Sequence, residues 1–427
     1  MSAPSFLVAA PSSGAGKTTV TLGLLRALRR RRVAVSSAKA GPDYIDSAFH
    51  ASASGAPCVN LDPFAMRGDL ICDLAGRGRE GLIVEGMMGL FDGAADGTGS
   101  AADLAALLSL PIVLVVDCAR QSHSVAALVR GFATHRADIA VAGLILNRVA
   151  SPRHERLLRD ALAPLGLPVL GALPPRGDLA LPERHLGLVQ AGEHAGLEAF
   201  LERAADWIEA GVDLSALPAG ARPPGRAAAV PLAPLGQRIA VACDEAFAFA
   251  YPHLLEGWRA AGAEISFFSP LADEVPDAEA DAVYLPGGYP ELHAGRLSSA
   301  TRFGTGMKAA AERDALIYGE CGGYMMLGEA LEDGEGQTHA MLGLLPLETS
   351  FRTRQRHLGY RRMRPLGDLP WTRGLVGHEF HYATIVSEGG ADRLFEVEDA
   401  VGTELGALGL RVGRTMGSFC HVIDRVA

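Results

Sequence analysis

Five short apolar runs punctuate the first half of the chain, with segments of helical spacing between them. The runs are SFLVAA (5–10), RVAVSSA (32–38), GLIVEG (81–86), PIVLVVD (111–117) and VAGLILN (141–147). Runs this short, apolar at nearly every position, are the pattern of strands covered on both faces. Helical spacing appears at Thr18–Arg29 and Ala101–Leu108. This alternation leaves few solutions, and the expectation is a doubly wound, mostly parallel α/β domain. LPVLGALP (167–174) reads as one more strand at the sheet edge.

Residues 216–237, ALPAGARPPGRAAAVPLAPLGQ, follow neither the helical nor the strand period and read as a linker. Beyond it the alternation restarts with RIAVACD (238–244), EISFFSP (264–270), AVYLPGG (282–288) and ALIYGEC (315–321). A second α/β domain is expected there. The division is therefore 1–215, a linker at 216–237, and 238–427. A chain of 427 residues has room for both. The two halves share a fold class and no repeated motif.

Charge and cysteine usage narrow the function classes. A net charge of −10 argues against broad nucleic-acid binding. The basic run RALRRRRV (Arg26–Val33) reads as the polar end of an amphipathic helix. Cys58, Cys72, Cys118, Cys243, Cys321 and Cys420 are scattered without a CxxC pair, so no zinc site or disulfide framework is indicated. No run approaches the ~18 apolar residues of a membrane span. The N-terminus lacks a signal-peptide pattern. A reducing cytoplasm is the expected location.

The first chemical site is the loop APSSGAGKTT (10–19), which leaves the first strand and opens a helix. Backbone N–H groups of such a loop close around phosphate, and the helix N-terminus adds its positive end. Ser13, Gly14, Ala15, Gly16, Lys17, Thr18 and Thr19 are the candidate ATP-binding residues. Lys17 would reach the β- and γ-phosphates and Thr18 would bind Mg²⁺. Pro11 stands where the full phosphate-loop pattern has glycine, so this is a variant. KAGPDYIDSAFH (39–50) and VEGMMGLFDG (84–93) follow the second and third strands. Ligands of open α/β sheets bind at the carboxyl ends of strands. Asp43 and Glu85 are therefore candidate metal ligands, with a helix cap or a solvated loop charge as the alternative for each. Asn147, ending its strand, is a candidate for the adenine edge, or else a turn former.

The second site is YGECGGYMML, where a strand enters a glycine-flanked turn and then a helix. That is the layout of a nucleophile elbow with cysteine in place of serine. Cys321 is the candidate nucleophile and His421 of GSFCHVID (417–424) its base. Gly322, and Gly288 of the PGG turn, are candidate oxyanion-hole donors. Cys420, next to His421, should face the opposite side of its strand.

Taken in order, SSGAGKTT, KAGPDYIDSAFH, VEGMMGLFDG, LPERHLGL (181–188), YLPGGYPEL (284–292), GECGGYMMLG, GHEFHYA (377–383) and GSFCH span essentially the whole chain. Together they resemble the cobyrinic acid a,c-diamide synthases of cobalamin biosynthesis, including the hydrogenobyrinic acid enzymes. The resemblance implies a first domain similar to dethiobiotin synthetase, a P-loop protein, and a second similar to the triad class of glutamine amidotransferases. It implies amidation of the a and c acetates of a corrin polycarboxylate, with ATP and glutamine as co-substrates and Mg²⁺ as cofactor. Cys321 matches the family nucleophile and His421 its base. Tyr44, Asp46 and Asp92 fall in loops expected to contact substrate or metal. Ammonia loses its nucleophilicity on protonation, so a shielded route between the sites is expected. Neither nucleic acid nor membrane is an expected partner, and a homodimer is compatible with the reading.

One position departs from the family class. Triad amidotransferases commonly place glutamate two residues after the histidine, and here that residue is Ile423. Asp424, Glu379 or no acid at all are the open alternatives. His378 and His381 of HEFHY are spaced like metal ligands but have no third partner motif. Rival activities are a cobyric acid synthase, a nickel-sirohydrochlorin diamide synthase and, in another class, a partition-type switch ATPase. The last would carry a lysine where Ser12 and Ser13 stand.

Overall fold

The computed structural model describes residues 3–78, 80–181, 183–184, 187–194, 196–219, 229–367 and 369–426. They form two compact units, Met1–Phe64 with Gly68–Ala229, and Ala65–Arg67 with Val230–Ala427. Residues 220–228 of the expected linker, and 182, 185 and 186 of LPERHLGL, lie outside the described residues. Among the described residues no helix is long and apolar enough to cross a membrane.

The first unit is built on seven strands: β1 (Ser5–Ala9), β2 (Val35–Ala40), β3 (Cys58–Leu61), β4 (Gly81–Glu85), β5 (Ile112–Asp117), β6 (Val141–Asn147) and β7 (Val169–Ala172). Their order is β3-β2-β4-β1-β5-β6-β7, and every pairing is parallel. The chain reverses direction across the sheet at β1, so the β1 loop opens at the switch point where such sheets bind ligands. The expected edge strand is present as β7. The opposite edge, β3, escaped the sequence reading because four residues of CVNL carry too little pattern. Helices α1 (Lys17–Arg30), α2 (Tyr44–Ser54), α3 (Gly68–Gly76), α4 (Ala101–Leu108), α5 (Val125–Thr134), α6 (Pro152–Leu162) and α7 (Leu197–Gly211) complete it, beside a short hairpin of β8 (Glu183–Arg184) and β9 (Gly187–Leu188).

The basic run finds its partners inside this unit. Arg26 pairs with Glu202 at 3.1 Å, Arg30 with Asp206 at 2.6 Å, and Arg31 with Glu209 at 3.3 Å, all on α7. The arginines are thus one side of a helix–helix contact, and the acids sit about one turn apart on α7.

The second unit begins with β10 (Arg238–Ala242), β11 (Glu264–Phe268), β12 (Ala282–Leu285) and β13 (Leu316–Glu320), the four strands expected from sequence. Helices α8 (Pro252–Ala260), α9 (Ala294–Ser299), α10 (Thr301–Glu312) and α11 (Gly322–Leu327) accompany them. A four-stranded sheet follows from β14 (Ala330–Glu332), β15 (Thr338–Ala340), β16 (Leu347–Ser350) and β19 (Thr384–Glu388). The main sheet then gains β17 (His357–Pro365), β18 (Leu375–His381), β20 (Asp392–Asp399), β21 (Glu404–Val412), β22 (Thr415–Ser418) and β23 (Cys420–Arg425). Its order is β11-β10-β12-β13-β22-β21-β20-β17-β18-β23. It is parallel through β22 and antiparallel beyond.

That order forces a bend. β22 and β23 lie five strand spacings apart, about 24 Å if the sheet were flat. Only Phe419 joins them, and one residue spans at most about 7 Å. The antiparallel half must therefore curl until its last strand returns beside its first. The methionine-rich α11 belongs to the core, where Met325, Met326 and Leu327 pack with Phe303, Met307 and Leu347.

The contact between α1 and α7 is close at one point. A Cβ on Gly23 would lie 2.6 Å from Ile208 Cγ1 and 2.7 Å from the Ala204 carbonyl oxygen. Gly23→Val should therefore destabilise the first unit by about 1–3 kcal/mol. Denaturant unfolding of wild type and variant reads this directly, and equal midpoints would refute it.

Candidate active site

In the first unit the phosphate loop leaves β1 and turns into α1. Gly16, just ahead of the helix, has φ 90°, a left-handed conformation that favours glycine. It is also hemmed in, since a Cβ there would sit 2.4 Å from Asn147 Nδ2. Asn147 itself donates from Nδ2 to the Ala15 carbonyl at 2.9 Å, and its Oδ1 accepts from Arg148 N–H at 2.8 Å. In this geometry Asn147 braces the loop from behind, using one of its two N–H donors on Ala15. Lys17 rests on backbone carbonyls, donating to Met88 and, at 3.4 Å, to Ser12. Burial lowers the Lys17 pKa and Glu85 opposes that shift.

The acids expected at the strand ends do meet. Glu85 is fully buried, and each oxygen has its own partners. Oε1 accepts from Thr18 Oγ1 at 2.7 Å and from Lys39 Nζ at 2.8 Å, while Oε2 contacts His50 Nε2 at 2.7 Å. Burial alone would raise the Glu85 pKa, but Lys39 and His50 hold it well below the carboxylate range. Lys39 also donates to Asp46 at 2.5 Å, and Asp43 Oδ2 stands 4.0 Å away. Burial and the charge of Asp43 push Asp46 up to about 7, against the pull of Lys39. Lys39 and His50 were not singled out from sequence. The signal was the strand-end position of Lys39 in KAGPD.

Asp43 takes the role that the sequence held as its alternative. It caps α2, with Oδ1 accepting from Ile45 and Asp46 N–H at 3.0 Å each. Tyr44 is the first residue of that helix. Asp92 is exposed and braces its own loop, accepting from Gly89 N–H at 2.8 Å. A cavity of about 720 Å³ opens here, lined by Ser13, Gly14, Gly16, Lys17, Thr18, Thr19, Lys39, Asp43, Glu85, Asn147 and others.

In the second unit Cys321 occupies the turn between β13 and α11. Its backbone has φ 48° and ψ −104°, a conformation that side-chain-bearing residues rarely adopt. The turn is held by Cys321 N–H donating to Ser418 O at 2.8 Å, and by Gly323 N–H donating to Pro286 O at 3.1 Å. Gly287 reveals how close His421 stands to Cys321. A Cβ placed on it would lie 2.3 Å from His421 Cε1, 3.1 Å from His421 Nε2 and 3.3 Å from Cys321 Cβ. One methyl-sized point thus touches both side chains. A Cβ on Gly322 would lie 3.0 Å from Gly288 N, so the two expected oxyanion donors are neighbours. Burial, then Glu291, pushes the Cys321 thiol up, and the Gly322 N–H opposes this.

The carboxylate facing His421 is Glu320, the residue just before Cys321. Its Oε2 lies 3.6 Å from His421 Nδ1, and both side chains are buried. Glu379 is directed elsewhere: it accepts from Arg361 Nε at 2.7 Å and contacts His381 at 3.0 Å. In the β18–β23 register it stands opposite Cys420, while His378 stands opposite His421. Directly paired residues share a sheet face, so Glu379 and Cys420 lie on the face turned away from His421. Asp424 is bound by Arg67, from N–H and Nε at 3.0 Å each. Ile423 is fully buried. Burial, then His421 and Arg361, lowers His378 to about 3, so it is neutral. The ligand atoms of His381 cluster with those of His357 and Glu379 within 4.8 Å, without His378.

Two family models match the chain. Residues 6–189 match the CobQ/CobB/MinD/ParA nucleotide binding domain, and residues 238–425 match the CobB/CobQ-like glutamine amidotransferase domain. A hydrogenobyrinate a,c-diamide synthase of Brucella abortus biovar 1 is 65% identical over 98% of both chains. The chain belongs to the hydrogenobyrinate a,c-diamide synthase family. Proteins of the same description from Rhizobium meliloti and Rhodobacter capsulatus are 62% and 54% identical, covering 98% and 97% of this chain and 98% of each relative. The family makes this an enzyme with an ATP-binding first unit and a glutamine amidotransferase second unit.

Gly287→Ala should lower glutaminase turnover by about 10-fold or more, because its methyl displaces the His421 ring. Glutamate release by the purified variant measures this. A wild-type rate would show that the ring is not held where the chemistry needs it.

Proposed function

We propose that this enzyme amidates the a and c acetate carboxylates of hydrogenobyrinate, using ATP and glutamine. The substrate reading is supported by the likeness over nearly the whole chain to enzymes named for that reaction. The chemistry is supported by one observation above others, the meeting of Cys321 and His421 at Gly287.

A carboxylate resists ammonia because its leaving group would be oxide or hydroxide. Transfer of the γ-phosphoryl group to a carboxylate oxygen releases ADP and leaves an acyl phosphate. Ammonia then attacks the acyl carbon and expels phosphate, leaving the amide. Lys17 moves from its carbonyl perch to the phosphates, where its charge stabilises the transferring group. Ser13, Gly14, Ala15, Gly16 and Thr19 wrap the phosphates, and Asn147 keeps that wrap in shape.

The residues around Lys39 fit Mg²⁺, which takes oxygen ligands and few protein carboxylates. Thr18 and Glu85 would hold it, with the Asp46 and Asp43 carboxylates beside them. When bound, Mg²⁺ neutralises phosphate charge. Lys39 and His50 hold Glu85 ionised and fixed in orientation, and binding the ion would exchange the Thr18 hydrogen bond to Glu85 for contacts to the metal.

In the second unit Cys321 attacks the glutamine side-chain amide while His421 takes the thiol proton. That proton leaves with ammonia, and water, deprotonated by His421, cleaves the thioester to glutamate. Gly288 and Gly322 N–H groups stabilise the oxyanion. Because burial raises the Cys321 pKa, the thiolate forms with the attack rather than before it.

Two substitutions separate the half-reactions. Cys321→Ser should abolish glutamine-driven diamide formation and keep most of the rate with concentrated ammonia. Lys17→Ala should lose both by about 100-fold or more. Diamide product from hydrogenobyrinic acid, followed by absorbance and mass, is the readout. A faster reaction with cobyrinic acid would overturn the substrate reading. Glutaminase activity surviving in Cys321→Ser would overturn the nucleophile.

A further inference from the structure

We propose that Glu320 is the positioning residue for His421, so that the acid of a Cys321–His421–Glu320 triad comes from the residue preceding the nucleophile. This rests on the nucleophile and base proposed above and adds the group that orients the base.

His421 presents its two ring nitrogens to different neighbours. The Cε1–Nε2 edge lies toward Gly287, where a Cβ would also meet Cys321 Cβ, and Nδ1 lies 3.6 Å from Glu320 Oε2. At 3.6 Å the pair is an ion-pair contact and too long for a hydrogen bond. Such contacts tighten when the ring becomes charged during reaction. Glu320 is fixed from both sides. Its Oε1 accepts from Val422 N–H at 3.0 Å, and its Oε2 accepts from Tyr284 Oη at 2.8 Å. The Val422 bond ties the carboxylate to the residue after His421. Acid and base therefore share an anchor on β23.

The two acids that the sequence offered are excluded by their own bonds and by strand geometry. Asp424 is committed to Arg67, and Glu379 lies on the opposite face with Arg361 and His381. Glu320 is thus the acid in contact with the ring, in a buried setting where an imidazolium would otherwise be costly.

The proton inventory balances. The Cys321 S–H bond breaks and its proton moves to His421 Nε2 as sulfur bonds the amide carbon. The Nδ1 proton faces Glu320 throughout and stays on the ring. The Nε2 proton leaves on ammonia when the C–N bond breaks. Water then restores the thiol and yields glutamate.

The test uses Glu320→Gln and Glu320→Asp in the full-length enzyme. Glutamine keeps the shape and the Val422 bond but removes the charge. Its glutaminase kcat should fall about 100-fold, with KM for glutamine within about threefold. Ammonia-driven diamide formation should stay within about twofold of wild type, which reports an intact fold. The acid limb of the glutaminase pH profile should move to lower pH, since a neutral neighbour no longer stabilises the imidazolium. The charged or titratable groups around the pair include Cys321, Tyr284, Tyr318, Glu291, His378, Arg361 and Glu379 beside Glu320, and the variant replaces Glu320 alone. Glu320→Asp keeps the charge and should recover part of kcat and the wild-type limb. A wild-type kcat and limb in Glu320→Gln would overturn the proposal, while a dead Cys321→Ser leaves the nucleophile standing. If both Glu320 variants lose ammonia-driven activity alike, Glu320 is a core brace and the proposal is also overturned. Residual glutaminase in Cys321→Ser would instead sink the underlying reading.

Discussion

The one-residue step from β22 to β23 organises the second unit. Ser418, the last residue of β22, accepts the Cys321 N–H and holds the elbow. Phe419 turns the chain, and β23 then delivers His421 and the Val422 N–H that binds Glu320. The support of the Cys321 turn, His421 and the anchor of Glu320 all fall within five consecutive residues. The sheet must close on itself for this to happen, because its order places four other strands between β22 and β23. Shape and chemistry are therefore the same constraint. A one-residue register slip of β23 would carry His421 to the wrong sheet face.

The first unit solves a different problem, that of crowding three carboxylates beside a phosphate-binding loop. Lys39 sits among Asp43, Asp46 and Glu85, with His50 behind Glu85. Like charges so close would otherwise raise one another's pKa and leave acids protonated. Glu85 escapes this and Asp46 only partly does, as their opposite shifts record. Thr18, on the helix that opens after the loop, joins the same network through Glu85. Strand ends β2 and β4 and helices α1 and α2 thereby meet at one carboxylate.

Much of this was legible in the sequence. The phosphate loop and the elbow are short motifs fixed by local geometry, and each sits at the end of a strand that its apolar run announces, whereas His421 was found by its motif alone, near the start of β23. The acid that faces His421 was not legible. Sequence custom looked downstream of His421, where Ile423 fills the core. Glu320 reaches His421 through a sheet closure that linear order does not display, although it stands beside Cys321 in the chain. Asp43 was visible as an acid, but its capping role depends on where α2 begins. The arginine run was read as a helix face, and its acidic partners on α7 lie more than 170 residues away.

Glu85 carries a wider consequence. Its two oxygens answer to different elements, Oε1 to the phosphate-loop helix and β2, and Oε2 to α2. A carboxylate gripped from three directions cannot rotate or shorten without all three noticing. Replacement by aspartate would not be a mild change, because one missing methylene draws the group away from every partner together. Such a junction tolerates few neighbours and little drift. Variation among related chains should therefore gather in the surrounding loops, and Thr18, Lys39, His50 and Glu85 should be lost or kept as a set.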